Sequence, residues 1–184
     1  MNTHLKFTLT LIWILFSRTF DAYNTYLHTP NLDKEANPLV SLVGISSWTL
    51  LLGITGALTL YICFAFYRST FHPIDLEPKE KGLTFASYSA YLYLGEATHW
   101  TAMLYRFPKD IKRLHHYFGT FLTPCLVYAG IISTVMWLLI HYSEAYRSIH
   151  TAGRVYFFLI AGCLQIILSM NWSRYKSYQM QIDW

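Results

Sequence analysis

The run from Leu39 to Tyr67, LVSLVGISSWTLLLGITGALTLYICFAFY, contains no charged residue. Its apolar residues follow neither the two-residue alternation of a half-buried strand nor the single stripe of a surface helix. A helix that is apolar on every side belongs in a protein interior or in a bilayer, and one crossing the hydrocarbon needs roughly 20 such residues. The run is therefore read as a membrane span, with Gly53 and Ala57 supplying a small-x-x-x-small face for close helix packing.

Working outward, the remaining chain repeats this layout. Only 13% of its 184 residues are charged, 54% are hydrophobic and 18% are aromatic, against about 25% charged in an ordinary soluble domain. Further apolar segments give an all-α, polytopic transmembrane helical bundle of four or five spans, at roughly 5–27, 39–67, 84–106, 117–141 and 151–172. The first resembles a signal-peptide core but lacks a small-residue cleavage site, and is read as an uncleaved helix whose polar second half faces protein. The third, rich in tyrosine, carries Glu96 and His99. The connections are short, so 1–184 is read as one transmembrane domain. With five spans the termini lie on opposite sides. Seven basic residues (Lys34, Arg106, Lys109, Lys112, Arg113, Arg174, Lys176) then share the C-terminal side and six (Lys6, Arg68, Lys79, Lys81, Arg147, Arg154) the other. The positive-inside rule favours a cytoplasmic C-terminus by that margin of one.

Several classes lose support. No basic face interleaved with aromatics stands in a soluble segment, which leaves nucleic-acid binding without a footprint. Cys63, Cys125 and Cys163 lie inside apolar runs without C-x-x-C spacing, and read as small buried hydrophobes. Neither a G-x-S-x-G elbow nor a phosphate-cradling glycine loop occurs.

The most distinctive stretch precedes the clearest span. Asp21 and Thr25 lie four residues apart and share a helix face; Glu35, Asn37 and Pro38 stand where the next helix begins, with Asn37 placed to cap it. Two roles are open: Asp21 pairing with Arg18 while Glu35 and Asn37 organise the helix start, or a polar site of Asp21, Thr25, Glu35 and Asn37 that binds a cation or a polar headgroup. The pattern D-x-x-x-T, a spacer, then E-x-N-P-L resembles an uncharacterised family of small prokaryotic membrane proteins. The resemblance implies architecture and a cytoplasmic (inner) membrane location, and no activity.

Eight histidines are many for this length. In the five-span reading His99 shares a side with His115 and His116, and His141 shares the other with His150. Layers of this kind hold b-type haem in four-helix bundles. His115-His-Tyr-Phe-Gly119 and His150-Thr-Ala-Gly153-Arg154 resemble helix starts of cytochrome b561-like bundles over residues 113–172, although Gly153 is displaced by one residue. That resemblance implies haem b held by His99, His115, His116, His141 and His150. The same histidines also suit membrane interfaces. Glu96-Ala-Thr-His99 forms an E-x-x-H pair, half of a carboxylate metal site.

Three functional expectations follow. The first is a non-catalytic subunit or partner-binding element of a larger membrane assembly, in contact with the lipid bilayer and other membrane subunits, its many Tyr and Trp side chains supplying contact area. The second is a b-type haem electron-transfer protein. The third is a membrane enzyme or transporter with a polar site at Asp21 and Glu35.

Overall fold

A computed structural model describes residues 2–32 and 37–182, and within them every regular element is helical. In order these are α1 (Thr3–His28), α2 (Pro38–Ser41), α3 (Trp48–Phe71), α4 (Phe85–Leu94), a 3-10 turn (Trp100–Leu104), α5 (Ile111–Tyr142), α6 (Glu144–Ile149) and α7 (Ala152–Ile182). Three helices are long and apolar enough to cross a membrane: α3, α5 and α7, with mean hydropathies of 2.0, 1.8 and 1.7 over their most apolar windows.

Two of the expected spans are redrawn. The apolar run opening at Leu39 does not form one helix. The Asn37 side chain accepts from the Leu39 amide at 3.0 Å and starts α2, which closes after one turn where Gly44 takes φ +80°. Leu32, Ile45 and Leu51 bury together beside Trp48 and Ile54, and this cluster outweighs helical continuation; α3 then starts at Trp48. Gly53, expected at a packed face, has open space where a Cβ would project.

The segment 84–106 is not a continuous helix. Thr84 caps α4 through its hydroxyl, and after ten helical residues Gly95, at φ +82°, ends it. At 1.5 Å per residue α4 is about 15 Å long, half of a hydrocarbon core. The Arg113 guanidinium fixes this end by donating to the carbonyls of Tyr91 (2.8 Å) and Leu92 (3.2 Å), a cation placed where the helix dipole is negative.

The chain forms two compact units, one of residues 1–61 and 125–163 and the other of 62–124 and 164–184, whose boundaries fall inside α3, α5 and α7. In the first unit α1 and α5 run parallel. Trp13 donates to the Val127 carbonyl, Arg18 to Ser133, and Trp137 to Asp21, at separations of 114, 115 and 116 residues along both helices. Gly130 permits the approach, because a Cβ there would overlap Ser17. The returning α7 runs antiparallel to α5: Tyr128 donates to the Phe158 carbonyl at 2.9 Å, and Gly162 leaves room for the Tyr128 ring.

The second unit is built on tyrosine. Tyr88, wholly buried, packs against Tyr175 and Tyr178 with centroids 5.4 and 5.1 Å away, and Phe121 and Leu92 complete the core. Each hydroxyl has a fixed use: Tyr88 donates to Glu77 (2.7 Å), Tyr175 to the Leu83 carbonyl (3.1 Å) and Tyr178 to the Glu80 carbonyl (2.6 Å). The Tyr175 and Tyr178 bonds pin the connection after α3 to the last turns of α7, and the Tyr88 bond pins it to α4. Here α3 meets α5 backbone to backbone, since a Cβ on Gly119 would collide with the Ala65 carbonyl.

Candidate functional site

The polar groups of the first unit collect along one face of α1. Ser17, Asp21, Asn24 and His28 recur at alternating steps of four, three and four, the spacing that keeps a stripe facing a neighbouring helix. Opposite them α5 presents Gly130, Ser133, Trp137 and His141. The Asp21 carboxylate accepts from Trp137 Nε1 at 2.9 Å, and its other oxygen lies 3.7 Å from the Arg18 guanidinium. Arg18 in turn donates to the Ser133 hydroxyl at 3.0 Å. One turn on, buried Asn24 accepts from His141 Nε2 at 3.0 Å and donates to the Phe20 carbonyl at 2.8 Å. His28 donates from Nδ1 to the Asn24 carbonyl at 2.9 Å; its ring lies against Trp137 (centroids 4.7 Å apart) and His141 (5.7 Å).

This seam borders a cleft of about 880 Å³ lying wholly within the first unit, inside the ~300–1,000 Å³ range of small-molecule sites. Its lining mixes polar and apolar side chains throughout, with Leu51, Leu52 and Ile140 toward the start of α3 and Arg18 and Thr59 farther along. Near the start of α3 it holds Asp21, Thr25, His28, Trp48, Trp137 and His150; farther along, Leu15, Leu60, Ala129 and Leu159. Trp48 donates to the Pro30 carbonyl at 2.9 Å and packs edge-on to Tyr26, and both rings line the cleft.

Of the polar motif, Asp21, Thr25 and Asn37 all line this cleft. Thr25 donates to the Asp21 carbonyl at 2.8 Å, tying the two on one face as their spacing predicts. Glu35 lies outside the described residues. The Arg18–Asp21 pairing is present, and so is the Asn37 cap.

Each histidine of the haem reading has local contacts of its own. His141 belongs to the α1–α5 seam through Asn24, whereas His150 ends α6 with its ring against Tyr146 and Nδ1 3.3 Å from that hydroxyl. His115 meets Phe64 edge-on, and His116 is buried early in α5 beside Thr120. His99 caps the 3-10 turn, its Nδ1 2.8 Å from the Thr101 hydroxyl. The E-x-x-H pair is corrected: α4 stops before Glu96, which forms an ion pair with Arg106, so Glu96 and His99 do not share a helix face. Among the described residues no group of three or more His, Cys, Asp or Glu side chains is placed to hold a metal ion.

Sequence reasoning missed Asn24, Ser133 and Trp137. The signal that could have found them is the alternating three- and four-residue recurrence of polar residues in α1, which marks a helix face that must meet polar partners. No family model, curated protein or solved structure matches the chain.

Proposed function

We propose that the chain is a four-span integral membrane protein of a prokaryotic cytoplasmic membrane, acting as a non-catalytic, partner-binding subunit of a larger membrane assembly. The fourth span is α1, whose 26 residues reach about 39 Å. Its Arg18 and Asp21 are matched by α5, which lowers the cost of holding charge at membrane depth. The D-x-x-x-T motif and its resemblance agree with this architecture.

Four crossings of alternating direction put both termini on one side. That side collects ten basic residues (Lys6, Arg68, Lys79, Lys81, Arg106, Lys109, Lys112, Arg113, Arg174, Lys176), and the other holds Lys34, Arg147 and Arg154. The positive-inside rule then makes the terminal side cytoplasmic by a wide margin.

The observation that carries the partner reading is the bareness of α7. Its apolar window is only 6% buried, and Phe157 and Phe158 stand 67% and 58% exposed on consecutive residues. Their directions differ by about 100°, so the rings cover a broad arc of helix. Large aromatic surfaces of this kind suit packing against another membrane helix. Membranes extracted directly into polymer-bounded discs test this. The protein should elute within an assembly larger than one 21.5 kDa chain, and Phe157→Ala with Phe158→Ala should release it as a folded monomer. A monomeric wild-type chain would sink the proposal. A dithionite-reduced absorption spectrum of the same discs tests the b-type haem alternative, which a band near 560 nm would promote.

A further inference from the structure

The geometry points to the cleft of the first unit as a binding site for a single-chain membrane amphiphile whose headgroup is hydrogen-bonding and carries no net charge. Leu15, Leu60, Ala129 and Leu159 offer aliphatic surface to a tail, and Asp21, Thr25, His28 and Trp48 offer polar and aromatic groups to a head. Both signs of charge stand beside these polar groups. The Arg18–Asp21 separation of 3.7 Å leaves the pair short of a tight bidentate bridge. Arg18 has five N–H donors, and Ser133 takes one of them at 3.0 Å. His28 spends its Nδ1 hydrogen on the Asn24 carbonyl, which leaves Nε2 as the ring nitrogen that a ligand can meet. A head with a hydroxyl and an acceptor oxygen satisfies these groups together. A net charge of either sign would meet one like-charged partner.

Three features prepare the site. Trp137 and the Thr25 back-bond hold Asp21 in place, so the acceptor is set before a ligand arrives. Trp48 and Tyr26 offer ring surface to the head. Gly56 lines the cleft wall, and a Cβ there meets nothing within 4 Å, so this wall is open space.

The test uses the full chain in phosphatidylcholine nanodiscs and a monoacylglycerol carrying a diazirine near its chain end, with labelled residues read by peptide mass spectrometry. Labelling should saturate, map near Leu60 and Leu159, and yield to excess mono-olein at concentrations at least tenfold below those needed for oleate or oleylamine. Gly56→Leu should cut the saturable labelling at least tenfold without lowering the melting temperature, because the added side chain enters the cleft. Asp21→Asn should shift preference toward oleate, and Arg18→Gln toward oleylamine. Labelling that never saturates, spreads over Phe157 and Leu168, or ignores Gly56→Leu would show bulk lipid only and overturn the inference. Equal competition by oleate and mono-olein would overturn the neutral-head assignment.

Discussion

Gly119→Ala should destabilise the protein, whereas Gly53→Ala should stabilise it, although both add one methyl group to a long helix. A Cβ on Gly119 falls on the carbonyl oxygen and carbon of Ala65 and on the Ser69 hydroxyl. The first two are backbone atoms, which cannot rotate aside, so α3 and α5 must separate. Overpacking of this kind costs about 1–3 kcal/mol, and backbone against backbone belongs near the upper value. Alanine returns about 1 kcal/mol of helix propensity, leaving a loss of about 2 kcal/mol. For a chain of this size that is a fall in Tm of about 4–8 °C. At Gly53 the new methyl meets nothing within 4 Å, so only the propensity acts and Tm should rise by about 2–4 °C. The native thiols supply the assay. Cys63 and Cys125 are buried and Cys163 is partly buried, so a thiol-reactive fluorogenic dye reports unfolding in mild detergent. If Gly119→Ala melts at or above Gly53→Ala, the contact of α3 with α5 in the second unit is wrong.

Three further outcomes follow from named bonds. Trp137→Phe keeps the ring and removes the donor to Asp21; losing a hydrogen bond to a charged group should cost about 1.5–3 kcal/mol in the same melt. Arg113→Met leaves the last carbonyls of α4 without their cation; faster amide hydrogen exchange confined to 91–95 is the expected result. Tyr88→Phe removes the bond to Glu77. In the native protein, burial first and Glu77 second raise the Tyr88 pKa well above 10. The folded state therefore holds this proton more tightly than the unfolded chain. The resulting stability is complete below pH 10 and declines as pH rises beyond it. Wild-type Tm should fall more steeply above pH 10 than that of Tyr88→Phe.

The architecture was legible where composition alone decides it. A long run without charge has few solutions besides a span, and α3, α5 and α7 follow from that. What sequence could not give was the competition between helix and tertiary cluster around Gly44, where Ile45 and Leu51 bury with Leu32. The tyrosine-rich segment failed as a span for a related reason: Gly95 and Arg113 end α4 early, and Arg113 is remote in sequence from the carbonyls it holds. Small residues misled in one place and helped in none. Gly53 sits in open space, while Gly119, Gly130 and Gly162 mark the close contacts. A glycine's partner is not written in its own helix. The motif residues Asp21 and Thr25 were visible, because four-residue spacing dictates a shared face. Their partners on α5, more than a hundred residues away, were not.

The proposed four-crossing topology puts both termini and the basic connection between α3 and α5 on the cytoplasmic side. Single cysteines at Thr3, Lys79, Ser148 and Gln179, placed in a chain whose native cysteines are replaced by alanine, measure this directly. Labelling of intact cells with a membrane-impermeant maleimide should modify Ser148→Cys alone, and the other three should react only after lysis. Thr3→Cys and Gln179→Cys reacting from opposite sides, or Ser148→Cys and Lys79→Cys from the same side, would contradict it.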